Sequence, residues 1–140
     1  MAIRELESNC GRVIKSSPIY ETAAWGNTNQ QAFLNQALLI ETKLSAEALM
    51  TAILVIEEKM GRVRTIKYGP RTIDIDILFF NNDLFNSDHI KIPHPELANR
   101  RFALEPLKDI APAYKHPTLK KTVRQLLKDC PDPLAVKKIH

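Results

Sequence analysis

Residues 72–80 read Thr-Ile-Asp-Ile-Asp-Ile-Leu-Phe-Phe, an alternation of apolar and acidic side chains that ends in aromatic residues. β-Branched and aromatic residues favour a strand, in which successive side chains point to opposite faces of the sheet. The alternation therefore predicts a strand whose isoleucines face a core, whereas Asp74 and Asp76 face away from it. Their Cα atoms would lie roughly 6.5–7 Å apart.

Two carboxylates side by side on a strand repel one another unless a cation lies between them. Mg²⁺ prefers oxygen ligands and retains part of its water, so Asp74 and Asp76 together with waters and phosphate oxygens form a ligand set that it accepts. The alternative interpretation of such a pair, taken alone, is the solvent-facing polar edge of a half-buried strand.

The sequence that leads into the acidic pair is basic. From residue 59 to residue 71 there is no carboxylate, and the cations are Lys59, Arg62, Arg64, Lys67 and Arg71. Phosphoryl transfer depends on metal ions and on cationic side chains that hold the phosphates in line, and the arginine fork can take two phosphate oxygens at once. A solvated basic loop is the alternative interpretation of the cations alone. Together with the acidic pair, they predict a phosphotransfer enzyme that depends on magnesium and ATP.

The bulk composition is that of an ordinary globular protein. The chain has 140 residues, 44% hydrophobic and 26% charged, with a net charge of +4. These values predict a single domain over residues 1–140. No signal peptide and no apolar run long enough to cross a bilayer is present in the sequence. Cys10 and Cys130 are interpreted as reduced thiols, which predicts a cytoplasmic location.

Hydrophobic spacing and capping residues predict the helices. A first helix is expected over residues 1–10, and a second begins at the cap residue Ser45, with Leu49, Ile53, Ile56 and Met60 as its buried stripe, and ends at Gly61. Four prolines between residues 93 and 112 predict only short helices there. A last helix is expected over residues 122–128, with Val123, Leu126 and Leu127 facing inward.

Strands are expected over residues 12–20, 32–42 and 72–80, with a short returning strand over 90–92 after a turn at 81–83. A loop is expected over residues 21–31. The strand over 32–42 would place four residues on one face: Phe33, Asn35, Ala37 and Leu39. This order of elements predicts an α+β sandwich, in which helices pack on one face of a mainly antiparallel sheet.

The central segment, Lys-Tyr-Gly-Pro-Arg-Thr-Ile-Asp-Ile-Asp-Ile-Leu over residues 67–78, resembles the signature of the 6-hydroxymethyl-7,8-dihydropterin pyrophosphokinase family. The resemblance extends over about the whole chain. Upstream it includes residues 17–22, Trp25-Gly26, residues 33–35, Glu57 and residues 61–64, and downstream residues 92–95, Asn99-Arg100, Phe102, Pro106-Leu107 and residues 110–112. The resemblance implies a ferredoxin-like fold and the transfer of diphosphate from ATP to a pterin hydroxymethyl group in folate biosynthesis, with release of AMP.

The resemblance also implies a role for individual residues. Two Mg²⁺ ions would bind Asp74 and Asp76, and Arg62 and Arg71 would be catalytic. The ATP site would consist of Arg64, Lys67, Arg71, Ile77, Lys91, His94 and Arg100. The pterin site would consist of Thr22, Trp25, Phe33, Asn35, Tyr68 and Phe102. An aromatic sandwich with amide partners suits a flat polar heterocycle.

Compared with the family, the chain begins inside the first helix, and the N-terminal strand is missing. The family implies a monomer, but the loss of a central strand would expose sheet edges and permit self-association. Two other functions stay open at this point. One is an inactive remnant of the enzyme, and the other is a basic ferredoxin-like module that binds RNA, which the acidic pair disfavours because carboxylates repel phosphate.

Overall fold

The computed structural model describes residues 2–22, 33–63, 74–133 and 135–139. Within these ranges the helices are α1 (Ala2–Asn9), α2 (Ala46–Val63), α3 (Arg101–Ile110) and α4 (Val123–Asp129), with a 3₁₀ turn at Leu97–Asn99. The strands are β1 (Arg12–Ser16), β2 (Tyr20–Thr22), β3 (Phe33–Asn35), β4 (Leu38–Glu41), β5 (Phe85–Asn86), β6 (Lys91–Ile92) and β7 (Val136–Lys138).

Every strand pairing among the described residues is antiparallel. β1 pairs with β4, β2 lies between β3 and β7, and β5 pairs with β6. The α+β class with a mainly antiparallel sheet is therefore confirmed, although the strands are divided among three small sheets. Both cysteine thiols are buried and unpaired, as expected for reduced residues.

A first core lies between the helices α1 and α2, and residues of β4, β6 and the segment 75–80 pack in it. Its buried members are Leu6, Cys10, Ala46, Leu49, Ile53, Ile56, Ile77, Ile90 and Ile92. The predicted stripe of α2 is confirmed, with Met60 partly buried. Its cap is confirmed too, because the amide of Ala48 donates to Ser45 Oγ at 3.1 Å. The predicted end at Gly61 is wrong, since α2 continues to Val63; glycine inside a helix costs only about 0.5–1 kcal/mol.

A second core lies between α3 and α4. Its buried members are Ala37, Leu97, Leu104, Leu107, Val123, Leu126 and Cys130. The predicted last helix is confirmed, and it begins after Thr122, whose side chain forms a capping box with Gln125. The expectation of only short helices among the prolines is wrong for α3, which runs for ten residues with Pro106 inside it. Pro106 is almost fully buried in this helix.

Two predicted strands are each broken in the middle. Residues 12–20 supply β1 and the start of β2, and residues 32–42 supply β3 and β4. At the breaks, the amide of Ser17 donates to Ala37 O, and the amide of Ala37 donates to Ser17 Oγ, both at 2.9 Å. The alternation restarts after the break, so Ala37 is buried while Leu39 is 44% exposed. The prediction that they share a face is therefore wrong. Residues 21 and 22, predicted to begin a loop, belong to β2, and the rest of the predicted loop lies outside the described residues.

The segment 74–80, predicted as part of a strand, has no strand ladder. Among the described residues no strand runs beside it, and its backbone bonds instead to other groups. The amide of Ile75 donates to Glu57 Oε2 at 2.7 Å, and Leu78 O accepts from the amide of His94 at 3.0 Å. The following turn is confirmed, since the amide of Asp83 donates to Phe80 O at 3.0 Å. The returning strand is confirmed as β6.

Candidate active site

The predicted alternation of the acidic segment is present even though the ladder is not. Asp74 and Asp76 are exposed, whereas Ile75 is half-buried and Ile77 is buried in the first core. Because the isoleucines are held by apolar packing, the carboxylates point away from the protein interior. This segment therefore presents the carboxylates of Asp74 and Asp76, which are two residues apart, to solvent.

His94 lies beside this acidic segment. Its amide donates to Leu78 O, and its Nδ1 accepts from the amide of Glu96 at 3.1 Å. Burial lowers the pKa of His94; Asp76 raises this pKa, but Arg100 lowers it, and the net direction is downward. The imidazole is therefore neutral at pH 7, and because Nδ1 is an acceptor, the proton lies on Nε2. His94 can thus donate one hydrogen bond to an anionic ligand near Asp76.

Arg100 and Phe102 lie together at the start of α3. Arg100 is the N-cap residue of this helix, and its guanidinium carbon lies 5.7 Å from the centroid of the Phe102 ring. This distance is within the range of a cation–π contact. α3 also packs against β2 and β3. The start of this helix therefore lies near His94, while its body contacts the β2–β3 pair.

The β2–β3 pair contributes two polar side chains. Asn35 Nδ2 donates to Thr22 Oγ1 at 3.3 Å, and Thr22 is only 3% exposed. Phe33 lies opposite Thr22 in the strand register, and its side chain is outside the described part. An amide hydrogen-bonded to a buried hydroxyl is an oriented group that can recognise the edge of a heterocycle.

Several predicted site residues lie outside the described residues: Trp25, Arg64, Lys67, Tyr68 and Arg71. Arg62 lies in the last turn of α2, and only its backbone is described. Lys91 is exposed on β6. The structure therefore places Asp76 and Arg100 near enough to His94 to influence its pKa. It also pairs Arg100 with Phe102 and joins Thr22 to Asn35. The predicted roles of the basic loop stay predictions.

The comparison with protein families identifies the family of this chain. Residues 1–112 match the family model described as 7,8-dihydro-6-hydroxymethylpterin-pyrophosphokinase (HPPK). The chain belongs to the HPPK family. The matched range contains every candidate site residue named above, and it ends two residues after α3.

Curated HPPK relatives match over most of the chain. A 2-amino-4-hydroxy-6-hydroxymethyldihydropteridine pyrophosphokinase of Aquifex aeolicus is 39% identical over 124 residues, which cover 89% of this chain and 77% of that protein. A pyrophosphokinase of the same name from Methylorubrum extorquens is 40% identical over 112 residues, covering 79% and 71%. The folic acid synthesis protein FOL1 of Dictyostelium discoideum is 38% identical over 94% of this chain, which spans only 20% of that longer protein.

Solved structures agree with the HPPK fold. The Plasmodium falciparum HPPK-DHPS crystal structure superposes with a TM-score of 0.70 at 20% identity, covering 91% of this chain and 39% of that chain. An HPPK-DHPS structure in complex with substrates gives the same TM-score at 18% identity, covering 91% and 40%. At these identities the likeness concerns the fold, and it agrees with the predicted ferredoxin-like α+β class.

The acidic pair of this HPPK-family chain fits a partly hydrated magnesium ion. Among the described residues no group of three or more His, Cys, Asp or Glu side chains is placed to hold a metal. Two exposed carboxylates suit Mg²⁺, which keeps several waters and completes its octahedron with phosphate oxygens. The donor set is therefore compatible with a metal that arrives with its nucleotide. Within the same residues, no helix has the length and apolarity to span a membrane.

Glu57 is the residue that sequence reasoning left without a role. It belongs to the segments that resemble the family, but its spacing of eighteen residues from Ile75 carries no periodic signal. Only the fold brings its carboxylate to the amide between the two aspartates.

Proposed function

We propose that the chain transfers the diphosphate of ATP to the hydroxymethyl group of 6-hydroxymethyl-7,8-dihydropterin, which yields AMP and the pterin diphosphate in folate biosynthesis. The observation that carries the proposal is the exposed Asp74 and Asp76 pair beside a neutral His94 and Arg100 in a chain of the HPPK family. Carboxylates for a metal next to donors for phosphate are what such a transfer requires.

Asp74 and Asp76 would hold Mg²⁺, two ions in all. The metal would supply neutralisation of the phosphate charge and a lower pKa for a bound hydroxyl. On the family resemblance, Arg62 and Arg71 would be catalytic, and Arg71 would contact both substrates near the transferred group. The two aspartates contribute fixed negative charge on a face that apolar packing of Ile75 and Ile77 turns toward solvent.

His94 and Arg100 would bind the phosphates of ATP. The neutral His94 donates from Nε2, and the guanidinium of Arg100 can take two oxygens at once. The remaining nucleotide contacts are assigned on resemblance: Arg64, Lys67, Arg71, Lys91 and the backbone of Ile77.

The pterin would lie against Phe102, with its polar edge on Asn35. The hydrogen bond from Asn35 to Thr22 supports this role because it fixes which amide atoms remain for a ligand. Trp25, Phe33 and Tyr68 complete the proposed slot. We further propose a single cytoplasmic domain over residues 1–140 that acts as a monomer without nucleic acid.

The test is a turnover assay on the purified chain. ATP, MgCl₂ and 6-hydroxymethyl-7,8-dihydropterin are incubated with the protein, and AMP and the pterin diphosphate are measured by chromatography. Equal amounts of the two products are expected, and EDTA or omission of the pterin should stop AMP release. ADP as the nucleotide product, or no AMP release in complete mixture, would contradict the proposal. Titration with single-stranded RNA in EDTA should show no binding.

A further inference from the structure

The carboxylate of Glu57 contacts the backbone at the centre of the acidic pair. Its Oε2 accepts the hydrogen bond of the Ile75 amide at 2.7 Å. Ile75 is the residue between Asp74 and Asp76, so this bond fixes the Asp74–Ile75 peptide, the first of the two peptide units between the aspartates. An ionised acceptor makes this bond roughly twice as strong as a bond between neutral groups.

The bond matters because the acidic segment has few other backbone anchors. No described strand pairs with 74–80, so its direction does not come from a ladder. Among the described residues, the other anchors include the bond from His94 to Leu78 O and the packing of isoleucine side chains in the first core. Apolar packing decides which face is buried, but it does not fix rotation of the peptide as a directional hydrogen bond does.

Helix α2 supplies both kinds of restraint. Ile56, which precedes Glu57, is 1% exposed in the first core that also contains Ile77. Glu57 itself is half-buried, one position further along the same helix. A rigid, core-packed helix thus holds the carboxylate that orients the peptide between the aspartates. Among the described residues Glu57 does not form a three-ligand cluster with Asp74 and Asp76.

We propose that Glu57 is a positioning residue for the metal pair: through the Ile75 amide it sets the directions of Asp74 and Asp76 that bind Mg²⁺. This inference rests on the proposed function, because it assigns the metal to those aspartates. Glu57 acts through the backbone and does not touch the metal or the substrates.

The experiment compares two substitutions of similar size. Glu57→Met removes the acceptor, whereas Glu57→Gln keeps an acceptor oxygen and removes only the charge. The Mg²⁺ concentration that gives half-maximal AMP release is expected to rise roughly tenfold in Glu57→Met, the loss typical of removing an outer-shell partner. It should stay within about threefold of the unmodified chain in Glu57→Gln. Affinity for the pterin, measured separately, should not change.

Glu58→Met is the matched control, because Glu58 is the next residue on α2, is exposed, and undergoes the same change of charge. An unchanged Mg²⁺ requirement in Glu57→Met would overturn the proposal, as would an equal rise in Glu58→Met. If Glu57→Met does not fold, Glu57→Asp replaces it. That variant keeps the charge but shortens the side chain by one methylene, and an unchanged Mg²⁺ requirement there would equally overturn the proposal.

A direct measurement of metal binding tests the role of Glu57 independently of the proposed function. Mn²⁺ bound in the presence of a non-hydrolysable ATP analogue is measured by electron paramagnetic resonance for the unmodified chain and each variant. Weaker Mn²⁺ binding in Glu57→Met than in Glu57→Gln supports the positioning role even if no AMP is released. Absence of AMP release from the unmodified chain would contradict the proposed function, and equal Mn²⁺ binding by the two variants would contradict the role of Glu57.

Discussion

The two halves of the candidate site are built in different ways. β2, which carries Thr22, lies in the middle of a three-stranded sheet with a ladder on each side. The segment 74–80, which carries the aspartates, has no ladder among the described residues and is held by a side chain of α2 and by the residues after β6. Strand ladders thus orient the proposed pterin side, while one backbone bond, the Glu57 carboxylate and apolar packing orient the proposed metal side.

Further contacts reinforce this contrast. Tyr20 of β2 is 3% exposed, and its hydroxyl donates to Asp109 Oδ2 on α3. Burial raises the pKa of Tyr20, and its hydrogen bond with Asp109 raises it further, so the phenol stays protonated. A substitution on the proposed pterin side should therefore remove one contact and leave the strand in place. A substitution near the acidic segment can change the direction of both aspartates.

The largest effect is expected from Asp76→Ala. Loss of a carboxylate that binds Mg²⁺ removes several kcal/mol of charge stabilisation, so AMP release should fall on the order of a thousandfold or more. Circular dichroism should remain that of the unmodified chain, because Asp76 is exposed. Asp83→Ala, which removes another exposed carboxylate seven residues further on, should retain turnover. Full turnover in Asp76→Ala would refute the metal assignment.

Amide hydrogen exchange tests the structural contrast itself. The amides of β2 are flanked by strands on both sides, whereas those of Ile77 and Phe79 donate to no oxygen atom among the described residues. The β2 amides should exchange more slowly on the order of a hundredfold or more, which corresponds to about 3 kcal/mol of additional opening free energy. Equal exchange in the two regions, measured by NMR or mass spectrometry, would show that the acidic segment is as firmly paired as β2.

The parts of the fold that follow from local rules were predictable. The α2 stripe and its Ser45 cap depend on residues three and four positions apart, and both are confirmed. The breaks in the long strands were not predictable, because the bonds between Ser17 and Ala37 join residues twenty positions apart. Segment 74–80 forms no ladder with the other described residues, which depends on the strands that lie alongside it. The sequence of the segment favours a strand in either case.

The candidate site was predictable to a similar extent. Alternation alone placed Asp74 and Asp76 on the exposed face. Asn35 and Phe102 were identified only by resemblance to a family, since an isolated strand amide or helix phenylalanine carries no functional signal. Glu57 received no role, because its contact with Ile75 arises from the packing of α2 against a distant segment.

Asn35→Ala should have a smaller effect than Asp76→Ala, and one of a different kind. Loss of one heterocycle contact should raise the KM for the pterin about tenfold, or roughly 1.4 kcal/mol, with little change in kcat. Leu34→Ala is the control, because Leu34 is the preceding residue on β3 and is 62% exposed. A fall in kcat without a change in KM would mean that Asn35 does not bind the ground-state pterin.

The smallest effect is expected for the dependence of stability on pH. It involves His116, which contacts Phe79 at the far end of the acidic segment. The His116 ring packs edge-on against Phe79, with centroids 5.6 Å apart. Its Nδ1 accepts from the amides of Thr118 and Leu119 at 3.1 and 3.0 Å. Burial lowers the pKa of His116, so the folded state favours the neutral ring, while the unfolded chain binds a proton near pH 6.5.

Stability should therefore be constant above pH 7 and fall as the pH decreases below about 6.5, by at most ~1.4 kcal/mol per pH unit for one proton. Urea unfolding between pH 7.5 and 5.5 measures this slope. In His116→Asn the side-chain oxygen can still accept an amide hydrogen bond but does not titrate, so the slope should be smaller. His94, whose pKa is also lowered by burial, should account for part of what remains. An identical slope in His116→Asn would mean that the acid sensitivity arises elsewhere, and that the contact with Phe79 does not depend on the charge of His116.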